Sequence, residues 1–478
     1  MSAAMLWKTD ALAAAMGAAM RGAVPASITG LSIDSRTAAA GDAFFAIQGD
    51  NRDGHEFVEA GLATGAALAV VAADRSESFP KDAPLLVVKN VLAALYDLAR
   101  AARARSKACI IAVTGSVGKT GTKEALRLAL SRSGKTHASA ASYNNHWGVP
   151  LSLARMPANA CFGVFEVGMN HAGEITPLTQ LVQPHVAIVT TVEPVHLEYF
   201  GTVEAIADAK AEIFAGLEQG GTAVLNRDNP QFARLQEAAR KSGVERVVSF
   251  GEHAKADARL VRVSLQADFS TVSTTILGND VTYKVGAPGR HIVLNSLAVL
   301  AAATLAGGDL ALAALAMAEL QAPIGRGART ALALPDGGLA LLIDESYNAN
   351  PASMRAALAV LGHTPLGRRG RRIAVLGDML ELGNDGAELH RGLLEPVVAS
   401  GADIVFCAGS LMRELWDALP PELQGGYAAV ASELDGMLRA AIRDGDAVMI
   451  KGSLGSRMGP IVKSLLMHFA RAHSQPAL

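Results

Sequence analysis

The sequence predicts an α/β protein of three units. Three observations predict it. The chain has 478 residues, which a length prior divides into about three domains. Apolar runs of strand length alternate with helical patterns through most of it, as βαβ units require. One such run, 109–113, passes through Thr114-Gly115-Ser116-Val117-Gly118-Lys119-Thr120 into a helical pattern at 123–130. Strand, glycine-rich loop and helix together make a setting in which backbone N–H groups and a helix N-terminus face phosphate.

The bulk numbers narrow the function. Half the residues are hydrophobic and 18% are charged, so each unit has material for a core. Lys and Arg number 43 against 45 Asp and Glu, a net charge of −2, which argues against a nucleic acid or a membrane surface as main partner. The basic residues Arg368, Arg369, Arg371 and Arg372 precede a strand and read as a solvated loop. Cys109, Cys161 and Cys407 lie far apart in apolar runs, which predicts free thiols in a reducing, cytoplasmic setting. Residues 11–20 are apolar, but they are few and follow Thr9 and Asp10, which look like a helix cap rather than a signal peptide. No run of about 18 uncharged apolar residues follows, so no membrane span is expected.

The first unit, 1–105, has short β-like runs at 32–36 and 41–47, a polar glycine-rich segment at 49–55, a helix pattern from Glu56, a strand at 85–88 and a helix at 91–105. These make a small α/β unit. The second, 106–322, reads as a P-loop-type, mostly parallel sheet. Its apolar runs end in polar residues: 162–165 in Glu166, 186–192 in Glu193 and His196, and 223–225 in Asn226, Asp228 and Asn229. Ligands of open parallel sheets bind beyond such strand ends. Residues 258–285 alternate and are rich in Thr and Val, which fits antiparallel strands; 292–305 returns to helix. The third unit, 323–478, has four strand runs, at 339–343, 372–376, 404–407 and 447–450, between helical segments. This is a Rossmann-like, doubly wound pattern, and Asn350-Pro351 is a helix start within it.

Several residues have chemical use. In the glycine-rich loop, Lys119 would reach terminal phosphates and the Thr120 hydroxyl would sit on Mg²⁺. The strict loop pattern wants glycine where this chain has Val113. Glu166 ends a buried strand, where a carboxylate is solvated, ion-paired, capping a helix or on a metal. His196 is either a packed loop histidine or part of the same cation site. Lys210 falls on the apolar stripe of Val203, Ile206, Ile213, Phe214 and Leu217; it either snorkels or serves the nucleotide. Asn295 suits an adenine edge and Arg326 a phosphate. Asp344 either caps the turn after its strand or faces the ligand.

Taken together these segments resemble the Mur ligase family, which makes amide bonds in peptidoglycan precursor synthesis. The resemblance covers nearly the whole chain. It rests on the loop, which in that family lacks the leading glycine, and on the stretches at 143–150, 166–175, 209–214, 344–351 and 377–383. The last two are the most specific and point to the branch that adds a dipeptide. The Asp-Asn-Pro-Arg signature of the sister branch is absent. The resemblance implies an ATP- and Mg²⁺-dependent ligase, active as a monomer, that joins D-alanyl-D-alanine to a UDP-linked muramyl tripeptide. It implies that Gly115, Ser116, Val117, Gly118, Lys119 and Thr120 hold ATP phosphates, with Asn295, Arg326 and Asp344 as further nucleotide contacts; an Ile at 292 stands where the family often has Asn. It implies a second Mg²⁺ on Glu166, His196 and Lys210, with Lys210 carbamylated. Ser35, Arg36 and His55 would hold the UDP end, and Asn144, Asn145, Asn170 and His171 would line the path of the muramyl peptide. Two alternatives stay open: a related ligase for another amino acid or a folate-type carboxylate, and a nucleotide-binding module that makes no bond.

Overall fold

The computed structural model describes residues 4–49, 51–140 and 142–471. The chain is α/β, with helices packed against three large sheets beside a small pairing of Trp7–Lys8 with Ser27–Ile28. The N-terminal sheet has five strands in the order Ala19–Arg21, Leu85–Val88, Leu68–Ala72, Asp42–Phe45, Gly30–Ser32; all pair in parallel except the first. The expected helix at 11–20 is shorter. It spans Thr9–Met16, stops at Gly17, and gives way to the Ala19–Arg21 strand. Thr9 does not cap it, because its hydroxyl donates to the Pro25 carbonyl at 2.5 Å.

The central sheet has nine strands. Their order is Asn279–Val285, Ser270–Ile276, Ala258–Leu265, Arg246–Gly251, Thr222–Asn226, Val186–Val189, Cys109–Thr114, Phe162–Glu166, Thr136–Ala138. The first three are antiparallel, as the alternating pattern at 258–285 predicts, and the remaining pairings are parallel. Cys109–Thr114 is apolar on both faces because both are covered. Ile111 and Val113 pack with the helices Lys119–Leu130 and Arg290–Leu305, while Ile110 and Ala112 pack on the opposite side. From Cys109–Thr114 the chain builds outward on one side, through Thr136–Ala138 and Phe162–Glu166, then crosses to Val186–Val189 on the other. The loop at 114–120 therefore leaves the sheet at its switch point, where open α/β sheets bind ligands.

The C-terminal sheet has seven strands in the order Gln424–Ala428, Ile404–Ala408, Arg372–Gly377, Ala447–Lys451, Leu339–Glu345, Ala328–Ala333, Ala470–Arg471. The first five are parallel. Helix Pro351–Gly362 begins with a full capping box between Asn350 and Ser353.

The N-terminal and central sheets are joined by a shared core. Trp7 and Leu98 pack in one cluster with Leu151 and Ala154 of helix Gly148–Ala154. The Trp7 indole N–H donates to the Ala154 carbonyl at 3.0 Å, and the Arg105 guanidinium lies 3.2 Å from the Trp7 ring centre. Arg155 reaches back to the Leu31 carbonyl at 2.8 Å. Side-chain links from the central sheet to the C-terminal unit are polar: Arg329 to Asp268, Arg326 to Ser142, and His196 to Glu381. We expect Trp7→Ala to lower stability by about 3–5 kcal/mol, the cost of emptying a buried aromatic site. Chemical denaturation checks this, and a loss under ~1 kcal/mol contradicts a shared core.

Candidate functional site

The glycine-rich loop is shaped by its neighbours. A Cβ on Gly115 (φ 146°) would lie 1.9 Å from Thr190 Oγ1, and one on Gly118 (φ 85°) would lie 2.5 Å from Asn295 Nδ2. Both positions need a residue without a side chain. The loop is then pinned to the end of the next strand. Thr190 donates to the Val117 carbonyl at 2.6 Å, and the Ser116 N–H donates to the Thr191 carbonyl at 2.9 Å. The Ser116 hydroxyl accepts from the Glu193 N–H at 2.9 Å. Helix Lys119–Leu130 follows directly, so its first N–H groups open beside the loop.

Five side chains converge at the start of that helix. Glu166 is level with Val113 in the sheet register and 1% exposed. One carboxylate oxygen accepts from the Thr120 hydroxyl at 2.9 Å and the other from the Asn144 side-chain amide at 2.7 Å. Thr120 also meets the Ser142 hydroxyl at 3.2 Å, and Arg326 donates to that hydroxyl at 3.3 Å. Arg326 stacks over the Tyr347 ring at 4.1 Å. The site thus draws on the central sheet and on the start of the C-terminal unit.

Two lysines sit in the same place. Lys119 folds back to donate to the Gly115 carbonyl at 2.7 Å. Burial lowers its pKa, Glu166 opposes that fall, and Arg326 adds to it. Lys210 is 2% exposed on helix Val203–Ala211, whose N-terminus is capped by Thr202 accepting from the Ala205 N–H at 3.1 Å. Burial and then the charge of Lys119 push its pKa well below the ordinary lysine value. Among the described residues, no carboxylate forms an ion pair with Lys210. Burial thus disfavours the charged form of both lysines.

A cleft of about 970 Å³ opens over this arrangement. Ser116, Val117, Gly118, Lys119, Asn144, Asn145, Glu166, Asn170, His196, Asn295 and Arg326 line it. Gly115, Thr120 and Lys210 lie behind its wall, within reach of residues that line it. His196 has a left-handed backbone (φ 56°), and its Nδ1 meets a Glu381 carboxylate oxygen. Asn145 accepts from the N–H groups of Trp147 and Gly148, which starts the next helix.

Other expected site residues lie elsewhere. Arg36 is exposed and paired with its neighbour Asp34, and Ser35 shares that loop. Both ring nitrogens of His55 are engaged, with Asp53 at 2.6 Å and the Ala72 N–H at 3.0 Å. His171 faces Glu174 and packs edge-on against Tyr199. Asp344 accepts from the N–H groups of Gly325 and Ser346, so it caps the turn between strand and linker. None of these five lines the cleft.

The cleft also contains residues that sequence reasoning did not single out. Glu345 and Lys451 end adjacent strands at matched register and meet at 3.3 Å. His291 faces them from the central helix; its pKa is lowered by burial, a fall that Glu345 opposes. The signal for Lys451 was present as the polar end of an apolar run. Glu193, raised in pKa by burial, ends another. Among the described residues no three His, Cys, Asp or Glu side chains form a ready-made metal cluster.

Comparison with known proteins agrees with this arrangement. Family models match the chain at 113–303 (Mur ligase middle domain), at 334–454 (Mur ligase, glutamate ligase domain) and at 27–103 (Mur ligase family, catalytic domain). The UDP-N-acetylmuramoyl-tripeptide–D-alanyl-D-alanine ligase of Rickettsia prowazekii is 31% identical over 96% of this chain and 99% of its own length. The chain belongs to the Mur ligase family. The ligase of the same name from Escherichia coli is 33% identical over 92% of this chain and 94% of its own. A crystal structure of MurF from Acinetobacter baumannii, 28% identical, superposes with a TM-score of 0.81, covering 96% of this chain and 99% of that one. The three-unit architecture is thus that of a Mur ligase.

The loop geometry gives a direct test. Gly118→Ala places a methyl group against Asn295 on a left-handed backbone. We expect ATP affinity, measured by calorimetry, to fall at least tenfold while the fold survives; unchanged affinity contradicts the close approach.

Proposed function

We infer that this chain is an ATP-dependent carboxylate–amine ligase that joins D-alanyl-D-alanine to UDP-N-acetylmuramoyl-tripeptide in peptidoglycan precursor synthesis. The substrates follow from the names of the relatives that match it nearly end to end. The chemistry rests on one observation: the Thr120–Glu166 contact beside Lys119 and Lys210, in a cleft lined from two units.

A carboxylate is a poor acyl donor, because its leaving group would be oxide. Attack of the tripeptide carboxylate on the γ-phosphorus of ATP releases ADP and gives an acyl phosphate. The dipeptide amine then attacks that carbonyl, inorganic phosphate leaves, and the amine loses a proton. Gly115, Ser116, Val117 and Gly118 cradle the phosphates, and Lys119 offsets charge on the transferred phosphoryl group. Asn295 and Arg326 hold the adenosine and phosphate ends, and Asp344 sets the Arg326 turn through Gly325.

The oxygen donors suit Mg²⁺, a hard cation that keeps phosphate and water in its shell. Thr120 and Glu166 would hold one ion, and Glu166, His196 and carbamylated Lys210 a second. When bound, the metal neutralises phosphate charge and polarises the transferring group. The depressed pKa of Lys210 favours the neutral amine, the form that adds CO₂. Adding CO₂ to that neutral amine releases one proton and leaves an anion in place of an uncharged group, which Lys119 and a bound metal would offset.

The three units divide the work. Residues 1–105 hold the UDP end, with Ser35 and Arg36 on an exposed loop and His55 fixed by Asp53 and the Ala72 N–H. Residues 106–322 hold ATP. Residues 323–478 bring the dipeptide. Asn144, Asn145, Asn170 and His171 mark the peptide path. No helix in the described residues is long and apolar enough to cross a membrane. Substrates of this class place the enzyme in the cytoplasm, and we take it to be a monomer.

We expect ADP release to require both UDP-muramyl-tripeptide and D-alanyl-D-alanine. Turnover indifferent to the dipeptide rejects the assignment and favours a binding module. Lys210→Ala should lower turnover by roughly a hundredfold or more, with partial recovery on adding short carboxylic acids. Full activity in that variant would remove the modified lysine from the mechanism.

A further inference from the structure

Residues 377–383 lie on the C-terminal unit, running on from the end of strand Arg372–Gly377. Glu381, on the C-terminal unit, reaches across the boundary to Nδ1 of His196, 185 residues earlier in the chain. Both residues adopt left-handed backbone, φ 56° at His196 and φ 62° at Glu381, a conformation that side chains disfavour. Their backbones also meet, with the Glu198 N–H donating to the Glu381 carbonyl at 3.5 Å. Strain on both sides of a contact marks a geometry held for a purpose beyond chain connection.

The chemistry of the pair is directional. His196 lines the cleft and Glu381 does not, so the carboxylate contacts the ring from outside the cleft wall. Nδ1 is occupied; among the described residues Nε2 has no hydrogen-bond partner. A carboxylate on one imidazole nitrogen fixes the tautomer and orients the ring. As an ion pair the contact is a weak stabiliser, because its side chains are 23% and 44% exposed. Such a contact is easily broken when the units separate.

We propose that Glu381 is a positioning residue delivered by the C-terminal unit, which holds His196 with Nδ1 protonated and Nε2 free to bind a divalent cation, so that the cation site is complete only when that unit is docked. The proposal rests on the reading of His196 as a metal ligand. It makes the C-terminal unit a partner in metal binding as well as a carrier of the dipeptide. The cation would be gripped firmly only once closure has excluded water, which protects an acyl phosphate from hydrolysis.

The test is Mn²⁺ binding, read by electron paramagnetic resonance on the full chain with a non-hydrolysable ATP analogue and UDP-muramyl-tripeptide. Glu381→Ala should weaken the His196-dependent Mn²⁺ by about 10–100-fold, and Glu381→Gln by less, since an amide oxygen still accepts from Nδ1–H. In the His196→Ala background, Glu381→Ala should have no further effect. Thermal melts identify any variant that fails to fold, and the Gln variant then carries the test. Unchanged Mn²⁺ affinity in both Glu381 variants overturns the proposal, as does tighter binding, which would make Glu381 a competitor for the site. Unchanged affinity in His196→Ala overturns it together with the ligand assignment. Dipeptide-dependent ADP release by the unaltered chain would still stand in that case, so the two failures are distinguishable.

Discussion

Everything in the cleft answers to one electrostatic constraint: two lysines are buried near one another at a glycine-rich loop, and burial disfavours the charge of each. Lys119 has Glu166 nearby, but Lys210 is buried with no ion-paired carboxylate among the described residues. A buried charge without a partner is expensive. A phosphate chain, a metal-bound carboxylate or a carbamate removes that cost. Empty, the site disfavours charge on Lys210; loaded, it holds anions that offset such charge, which suits an enzyme that gathers a triphosphate and an inert acid before it reacts.

The fold serves this constraint through unequal joints. The N-terminal and central sheets share a core through Trp7, Leu98, Leu151 and Ala154, so separating them would expose buried apolar surface. The C-terminal unit touches the central one through polar pairs, Arg329 with Asp268, Arg326 with Ser142 and His196 with Glu381. Polar contacts of this kind form and break at little cost. The rigid pair keeps the loop and Glu166 in register, while the third unit brings Arg326, Tyr347, Glu345 and Lys451 to the opposite wall.

Much of this was legible in the sequence, because strand ends carry chemistry in parallel sheets. The loop at 114–120 and Glu166 were found from local pattern, Asn295 and Arg326 from residue type together with the family resemblance, and all sit at or beside the cleft. The lysine on an apolar stripe was visible as a conflict between charge and burial, and it is buried. Contacts made only by folding were not legible. Nothing near His55 announces that its ring is consumed by Asp53 and the Ala72 N–H, and nothing near Glu381 names His196. The antiparallel strand Ala328–Ala333 was missed because its residues, Ala-Arg-Thr-Ala-Leu-Ala, carry little strand propensity; pairing with Leu339–Glu345 makes it a strand.

The mechanism requires Lys210 to carry a negative charge in the working protein. Equilibrating the chain with isotopically labelled bicarbonate and recording the carbon resonance of the adduct by nuclear magnetic resonance tests that directly. The account predicts a carbamate signal that disappears in Lys210→Ala. A spectrum without a Lys210-dependent signal, in protein that remains fully active, would contradict it.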